Sequence, residues 1–291
     1  MQDSVILSRR AALGRTEFCW ERGFLLNMNQ RLPTQFIVTG CSQGIGEATC
    51  RALLQQGIQV LGLDLKAPTA ALADHPNFQF ENADLTQEGM YERWLELFKT
   101  YAPDAVVHSA GMGTMGRFGE IPRERERFMV KLNVLATLDV VHAAVAQGPM
   151  KKPMHLVLIS STAGISCVPG MAVYSASKHF VSGLAHSVHE EVQIRGLPIQ
   201  ISTLTPPPVR TKFRENMGFE ERKKRITGVL MPEDVAADVL HVLKHPQQSR
   251  ITGWMHRVSF KVLRHLLPKR FLHRKIYEAS LFDLQPLRSK S

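Results

Sequence analysis

The chain has 291 residues, 44% hydrophobic and 21% charged; this ordinary globular usage excludes a disordered or collagen-like chain and leaves room for a full core without disulfides. Its four cysteines (Cys19, Cys41, Cys50, Cys167) form no CxxC pair, so a reducing compartment is expected and no metal site is. The net charge is +10, and it is unevenly placed: residues 1–209 carry 18 basic and 18 acidic side chains, residues 210–291 carry 18 and 8.

Residues 1–33 lack periodicity and read as a flexible N-terminal extension, with Met28 as an alternative start. They hold no continuous apolar run of the kind a secretory signal needs, and Glu17 and Glu21 argue against a transit peptide. Phe36–Thr39 is a short β-rich run that ends in a glycine loop. Gly46–Gln56 then reads as a helix closed by Gly57. Val60–Asp64 and Phe78–Glu81 are the next strands, and Gln87–Tyr101 has helical spacing through Trp94, Leu95, Leu97 and Phe98. Ala105–His108 is a fourth strand, followed by the glycine-rich 111–119 and a long helix over Arg123–Val145. Met154–Ser160 is apolar enough to be buried on both faces. A helix over Ser175–Gln193, a strand at Ile199–Leu204 and a helix opened by Pro232 with Glu233 and Asp234 complete the order. Alternating strands and helices predict an α/β fold: a doubly wound, Rossmann-type parallel sheet in one unit over 34–250. Apolar stretches such as Met154–Ile159 fall far short of the ~20 residues of a membrane span, so none is expected.

Thr39-Gly40-Cys41-Ser42-Gln43-Gly44-Ile45-Gly46 sits between a strand and a helix. Glycines there let the backbone turn tightly, approach a pyrophosphate and pack the helix on the sheet, with the phosphate against free N–H groups. Asp64 ends the second strand, 24 positions after Gly40. A carboxylate at that point accepts from a ribose diol and repels a 2′-phosphate, and Gln43 offers no cation to one, so NAD is expected over NADP. Lys66 softens that discrimination. Tyr174 and Lys178 stand at i and i+4 on one helix face, with Ser161 thirteen residues upstream. A phenol beside an ammonium suits proton transfer coupled to hydride transfer, because positive charge favours the phenolate.

With these residues in view, the chain resembles the short-chain dehydrogenase/reductase family. The likeness rests on TGCSQGIG at 39–46, Asp64, Asp84-Leu85, HSAG at 108–111, Asn133 in KLNVLAT, ISSTAG at 159–164 and YSASK at 174–178, and it covers about 34–250. It implies Tyr174 as acid/base, Lys178 on the nicotinamide ribose, Ser161 on the substrate oxygen and Asn133 supporting a relay water through its backbone. It further implies cofactor contacts from Gly40, Ser42, Gln43, Gly44, Ile45, Gly46, Asp64, Asp84, Leu85, Ala110, Gly111 and Thr211. Two positions depart from the pattern: His108-Ser109 stand where the family has two asparagines, and Pro207 where it has glycine. Proline removes an N–H donor and fixes φ, which would alter cofactor contact there.

Arg222–Arg225 lie in the stretch 212–230 that the resemblance makes a substrate lid; they read as a solvated face or as a site for an anionic carrier phosphate. Residues 251–291 form a basic amphipathic segment in which Lys and Arg interleave with Leu, Val and Phe. Such a segment packs on the body or lies on an anionic membrane, the latter suiting a lipophilic substrate. No recognition helix or zinc spacing accompanies the basic tail, so nucleic acid is not an expected partner. The expected protein is a cytoplasmic or membrane-associated homodimer or homotetramer that uses NAD to interconvert a secondary alcohol and a ketone on a lipophilic substrate. The alternatives are a cofactor-binding regulator or membrane-associated scaffold without useful turnover, and an NADPH-dependent acyl-thioester reductase.

Overall fold

A computed structural model describes residues 34–147, 152–213, 229–253 and 256–257. The expected N-terminal extension, the basic cluster 222–225 and nearly all of the C-terminal segment lie outside the described residues.

Seven strands form one sheet: β1 (Gln35–Thr39), β2 (Gln59–Asp64), β3 (Phe78–Asn82), β4 (Ala105–His108), β5 (Met154–Ile159), β6 (Ile199–Thr205) and β7 (Ser249–Ile251). Their order is β3-β2-β1-β4-β5-β6-β7, and every pairing is parallel. The order reverses between β1 and β4, which opens a crevice at the carboxyl ends of these strands. Helices α1 (Gly44–Leu54), α2 (Ala70–Ala73), α3 (Met90–Thr100), α4 (Arg123–Val130), α5 (Ala136–Ala146), α6 (Ala172–Ile194) and α7 (Pro232–Lys244) connect them.

The alternation of each strand divides the core in two. Ile37, Val106, Leu156 and Leu158 point to one face with Trp94 of α3, Val140 of α5 and Val181 of α6. Phe36, Val38, Val107 and Val157 point to the other, with Leu53 of α1 and Val239 of α7. Helix 123–146 is continuous, with a five-residue π segment, Lys131–Leu135, joining α4 to α5. At 24 residues it is long and apolar enough to cross a membrane by length and composition alone. Its Ala136, Val140, Val141, Ala143 and Ala144 are nonetheless packed in the core.

Below the sheet, Asp104 ties the amino ends of the central strands together. Its carboxylate accepts from the N–H groups of Thr34 and Gln35 and from the Lys152 ammonium at 2.7 Å. Burial alone would raise this carboxyl, but those donors outweigh it and hold it below its usual range. A carboxyl depressed on folding contributes stability above its unfolded value of about 3.9 and loses it as pH falls through the lower folded value. Asp104→Asn is therefore expected to cost about 1–3 kcal/mol at pH 7 and to flatten the acid limb of the stability curve, read by urea unfolding at several pH values.

Candidate active site

The glycine loop leaves β1 at Thr39 and enters α1 at Gly44. Gly40 has φ +68°, and a Cβ on it would stand 2.9 Å from the Ala110 nitrogen. A Cβ on Gly46 would stand 2.0 Å from the Gly40 carbonyl oxygen. The loop is thus closed on itself and on the β4 exit, and it leads into the opening N–H groups of α1, which have no acceptor within the helix. Gln43 precedes α1 in extended backbone with no side-chain cap, while Ile45 packs against the core beneath. Across the loop, Thr211 lies so near that a Cβ on Gly44 would meet its Cγ2 at 3.1 Å.

Asp64 braces the loop from β2. One carboxylate oxygen accepts the Ser42 N–H at 3.0 Å and the other the Lys66 N–H at 3.0 Å. The Ser42 hydroxyl in turn donates to the Lys66 carbonyl. Each Asp64 oxygen keeps lone-pair capacity for a further donor. Asp84 spends its carboxylate on Thr86 and Gln87, and Leu85 is buried in the core; their side chains serve the turn and the packing.

Across the crevice, Ser161 caps a short 3₁₀ turn, Thr162–Gly164, by accepting the Ala163 N–H at 3.2 Å. Its hydroxyl also bonds Tyr174, opposing the burial that pushes the Tyr174 hydroxyl up to about 12. Lys178 lies one turn along α6, its Nζ 6.0 Å from the Tyr174 ring centroid and donating to the Ile159 carbonyl at 2.9 Å. Burial pushes its ammonium down to about 8. The turn approaches α6 closely because residue 164 has no side chain; a Cβ there would meet the Lys178 carbonyl at 2.6 Å. Ser161, Tyr174 and Lys178, predicted from spacing, are thus brought together.

Asn133 occupies the π segment and is almost fully buried. Its side chain exchanges hydrogen bonds with the backbone of Met112 and donates to Ser177 Oγ at 3.0 Å. Its own carbonyl accepts the Thr137 hydroxyl at 2.9 Å. Asn133 therefore fixes the loop that follows Gly111, whose backbone runs between Asn133 and Lys178: a Cβ on Gly111 would be 3.1 Å from Oδ1 and 3.5 Å from Nζ.

Beyond Pro206 and Pro207, both buried, Val209 bridges to Leu230, with Arg210 N–H donating to the Leu230 carbonyl and Leu230 N–H to the Pro208 carbonyl. That pattern leaves the Val209 N–H on the opposite edge of its segment. An apolar cluster of Met112, Met129, Ala163, Val168, Met171 and Phe213 surrounds Tyr174, with the Phe213 ring tilted against it at 5.8 Å.

Sequence reasoning gave no role to Thr39 or Ser177. Thr39 Oγ1 gathers the N–H groups of Ser109 and Ala110 and His108 Nδ1, all at 3.1 Å; Ser177 links Asn133 to the Tyr174 carbonyl. Both stand inside the quoted motifs, but Asn133, the partner that gives Ser177 its place, and all the partners of Thr39 are 44 or more residues away.

A short-chain dehydrogenase/reductase of Penicillium canescens is 29% identical over 75% of this chain and 92% of its own length. An NADPH-dependent 3-dehydrocapnine reductase of Ornithobacterium rhinotracheale is 26% identical over 88% of this chain and 99% of its own. Among solved structures, a short-chain dehydrogenase from Sphingobium yanoikuyae in complex with NADPH superposes with a TM-score of 0.68 at 18% identity, covering 89% of this chain and 99% of that one. The sequence profile described as short chain dehydrogenase matches residues 34–222, from the first strand past the Tyr174 helix, and by that match the chain belongs to the short-chain dehydrogenase family of oxidoreductases.

Proposed function

We propose that this protein interconverts a secondary alcohol and a ketone on a lipophilic substrate, using a nicotinamide dinucleotide with NAD(H) preferred. The observation that carries the reading is the grouping of Ser161, Tyr174 and Lys178 at the crevice mouth. The residues fit such a cofactor: side chains at Gly40, Gly44 and Gly46 would collide with Ala110, Thr211 and the Gly40 carbonyl, so only glycine lets the loop close this tightly, and a helix N-terminus, which favours a phosphate, follows it. Gly40, Ser42, Gln43, Gly44, Ile45 and Gly46 would hold the pyrophosphate, Asp64 the adenosine ribose, Ala110 and Gly111 the adenosine side, and Thr211 with the Val209 N–H the carboxamide. When bound, the nicotinamide supplies or accepts the hydride.

The chain's own part is the proton. Tyr174, protonated at neutral pH, donates from Oη to a ketone oxygen or takes the proton back from an alcohol. Ser161 holds that oxygen in place, and Lys178 supplies the positive charge that makes the phenolate accessible while reaching the ribose hydroxyls. The apolar side chains packed around Tyr174 support a lipophilic substrate. A homodimer or homotetramer is supported by Phe128 and Leu135 on the outer side of helix 123–146, 39% and 48% exposed, and size-exclusion chromatography tests it.

NADPH is the second reading, favoured by Lys66 beside Asp64 and by the cofactor named for the O. rhinotracheale reductase. Parallel fluorescence titrations with NADH and NADPH decide between them. We expect tighter NADH binding, and we expect Asp64→Ala to move the preference toward NADPH by about tenfold, or about 1.4 kcal/mol. An unchanged ratio would sink the assignment of Asp64.

A further inference from the structure

Helix 123–146 and the start of α6 border a groove of about 440 Å³, within the range of about 300–1,000 Å³ usual for small-molecule sites. Nothing in the proton chemistry above uses it. Its floor is apolar: Val130 and Leu135 from the long helix, Val173 from the first turn of α6, and Phe118 from the loop before α4. Phe118 is 75% exposed, and Val130 and Leu135 are exposed as well, so this apolar surface meets water unless something covers it. Val173 also packs in the cluster around Tyr174, so one side chain is shared by the groove and the surroundings of that residue.

The rim is cationic. Arg123, Arg127 and Lys131 recur every fourth residue along the groove, a spacing that sets them on one side of the helix over about 12 Å. Helix electrostatics works against such a stripe. Like charges four residues apart repel, and Arg123 stands in the first turn, where the macrodipole is already positive. Carboxylates do not neutralise it. Arg123 meets Glu124 only at 3.7 Å, with both side chains largely in solvent, and Arg127 and Lys131 form no ion pair among the described residues. Glu126 is the single acidic residue in the described lining. Three cations therefore face one carboxylate beside an uncovered apolar floor.

We propose that this groove binds a free anionic amphiphile with one alkyl chain, its carboxylate or phosphate head on Arg127 and Lys131 and its chain along Val130, Leu135, Val173 and Phe118. A neutral lipid would leave the cations unpaired. A second copy of the chain fits poorly, because a two-fold contact lays a surface on itself and would set this cationic stripe against its own image. Phe128 is not part of the groove lining and stays available to the oligomer contact proposed above. The site is separate from the proton chemistry, and Tyr174→Phe should bind the amphiphile as the wild type does.

The test is calorimetric titration of the full chain with laurate and with dodecyl phosphate, each below its aggregation concentration. Binding should saturate at one molecule per chain and weaken as salt is raised. It should weaken about tenfold in the double variant Arg127→Gln/Lys131→Gln, which removes two charge-assisted contacts and keeps much of each aliphatic stem. Leu135→Asn should weaken it too, by interrupting the floor, and 1-dodecanol should bind less tightly than laurate. Urea unfolding at the wild-type midpoint shows that each variant is folded. Absence of binding, equal affinity in the wild type and the double variant, or 1-dodecanol binding as tightly as laurate overturns the proposal. Displacement of laurate by saturating NADH also overturns it, since the ligand would then sit in the crevice. Binding confined to phosphatidylserine vesicles makes the stripe a membrane contact, and laurate that splits an oligomer seen by size exclusion gives the groove to a second copy; either result overturns the assignment.

Discussion

Tyr174→Phe should lower turnover about a thousandfold, within the range that general acid–base groups contribute, while NADH still binds. The substitution removes one oxygen from a fully enclosed ring. The packing against Phe213 and Met129 is kept, so the protein should unfold at nearly the wild-type denaturant midpoint. What is lost is the oxygen to which the proposed mechanism gives the proton exchange, together with its interaction with Ser161. Ser161 retains its bond from the Ala163 N–H and holds its place, but no group at that point can protonate a ketone oxygen. Turnover on a panel of lipophilic alcohols and ketones is the measurement, with NADH titration beside it. If the wild type binds NADH and shows no Tyr174-dependent turnover on any of them, the regulator reading takes precedence.

Gly46→Ala should be the most damaging glycine-to-alanine substitution among the described residues. The added carbon would lie 2.0 Å from the Gly40 carbonyl oxygen, and neither backbone segment can yield easily. Gly40 donates its N–H to the Leu63 carbonyl at 2.9 Å and has the Ala110 nitrogen immediately behind it. Relief requires the loop to lift away from α1, which breaks the cradle and strains the sheet. The expected cost is about 3 kcal/mol, the upper end for overpacking, with loss of NADH binding. Gly183→Ala is the control. Gly183 sits inside α6 with nothing within 4 Å of the new carbon, so the change should stabilise the protein by about 0.5–1 kcal/mol. Urea unfolding of both variants reads the contrast.

The strands, the long helices and the Ser161–Tyr174–Lys178 set were legible because each is marked by short-range pattern: apolar runs, helical spacing, or residues on one helix face. Element ends moved by a few residues, as with the helix expected at Gln87–Tyr101 and found at Met90–Thr100. Strand β7 escaped because Ser249–Ile251 is three residues long and half open to solvent, with too few positions to show alternation. The π segment was invisible because Lys131–Leu135 has ordinary helical composition; its irregularity is visible only in the structure. Asp84 was assigned by resemblance to the cofactor, yet its carboxylate is taken up by Thr86 and Gln87, neighbours that any turn-capping aspartate would use. The loss of glycine at 207 was expected to disturb the adjacent loop, and Thr211 nevertheless lies over Gly44. Hydrogen bonds that join distant segments, such as Thr39 with His108, leave no local trace at all.

The pairing of β1 with β4 also has a temporal meaning. During synthesis β1 acquires β2 first, from residues shortly downstream, but its other edge waits for Ala105–His108. Until then the central strand of the eventual sheet presents unpaired backbone groups to its surroundings, as an edge strand does. Thr39 reaches His108 across 69 residues, and helix α6, which carries Tyr174 and Lys178, arrives later still. The glycine loop is therefore synthesised well before the strand that completes its surroundings, which makes the nascent chain most vulnerable to misassociation between those two moments.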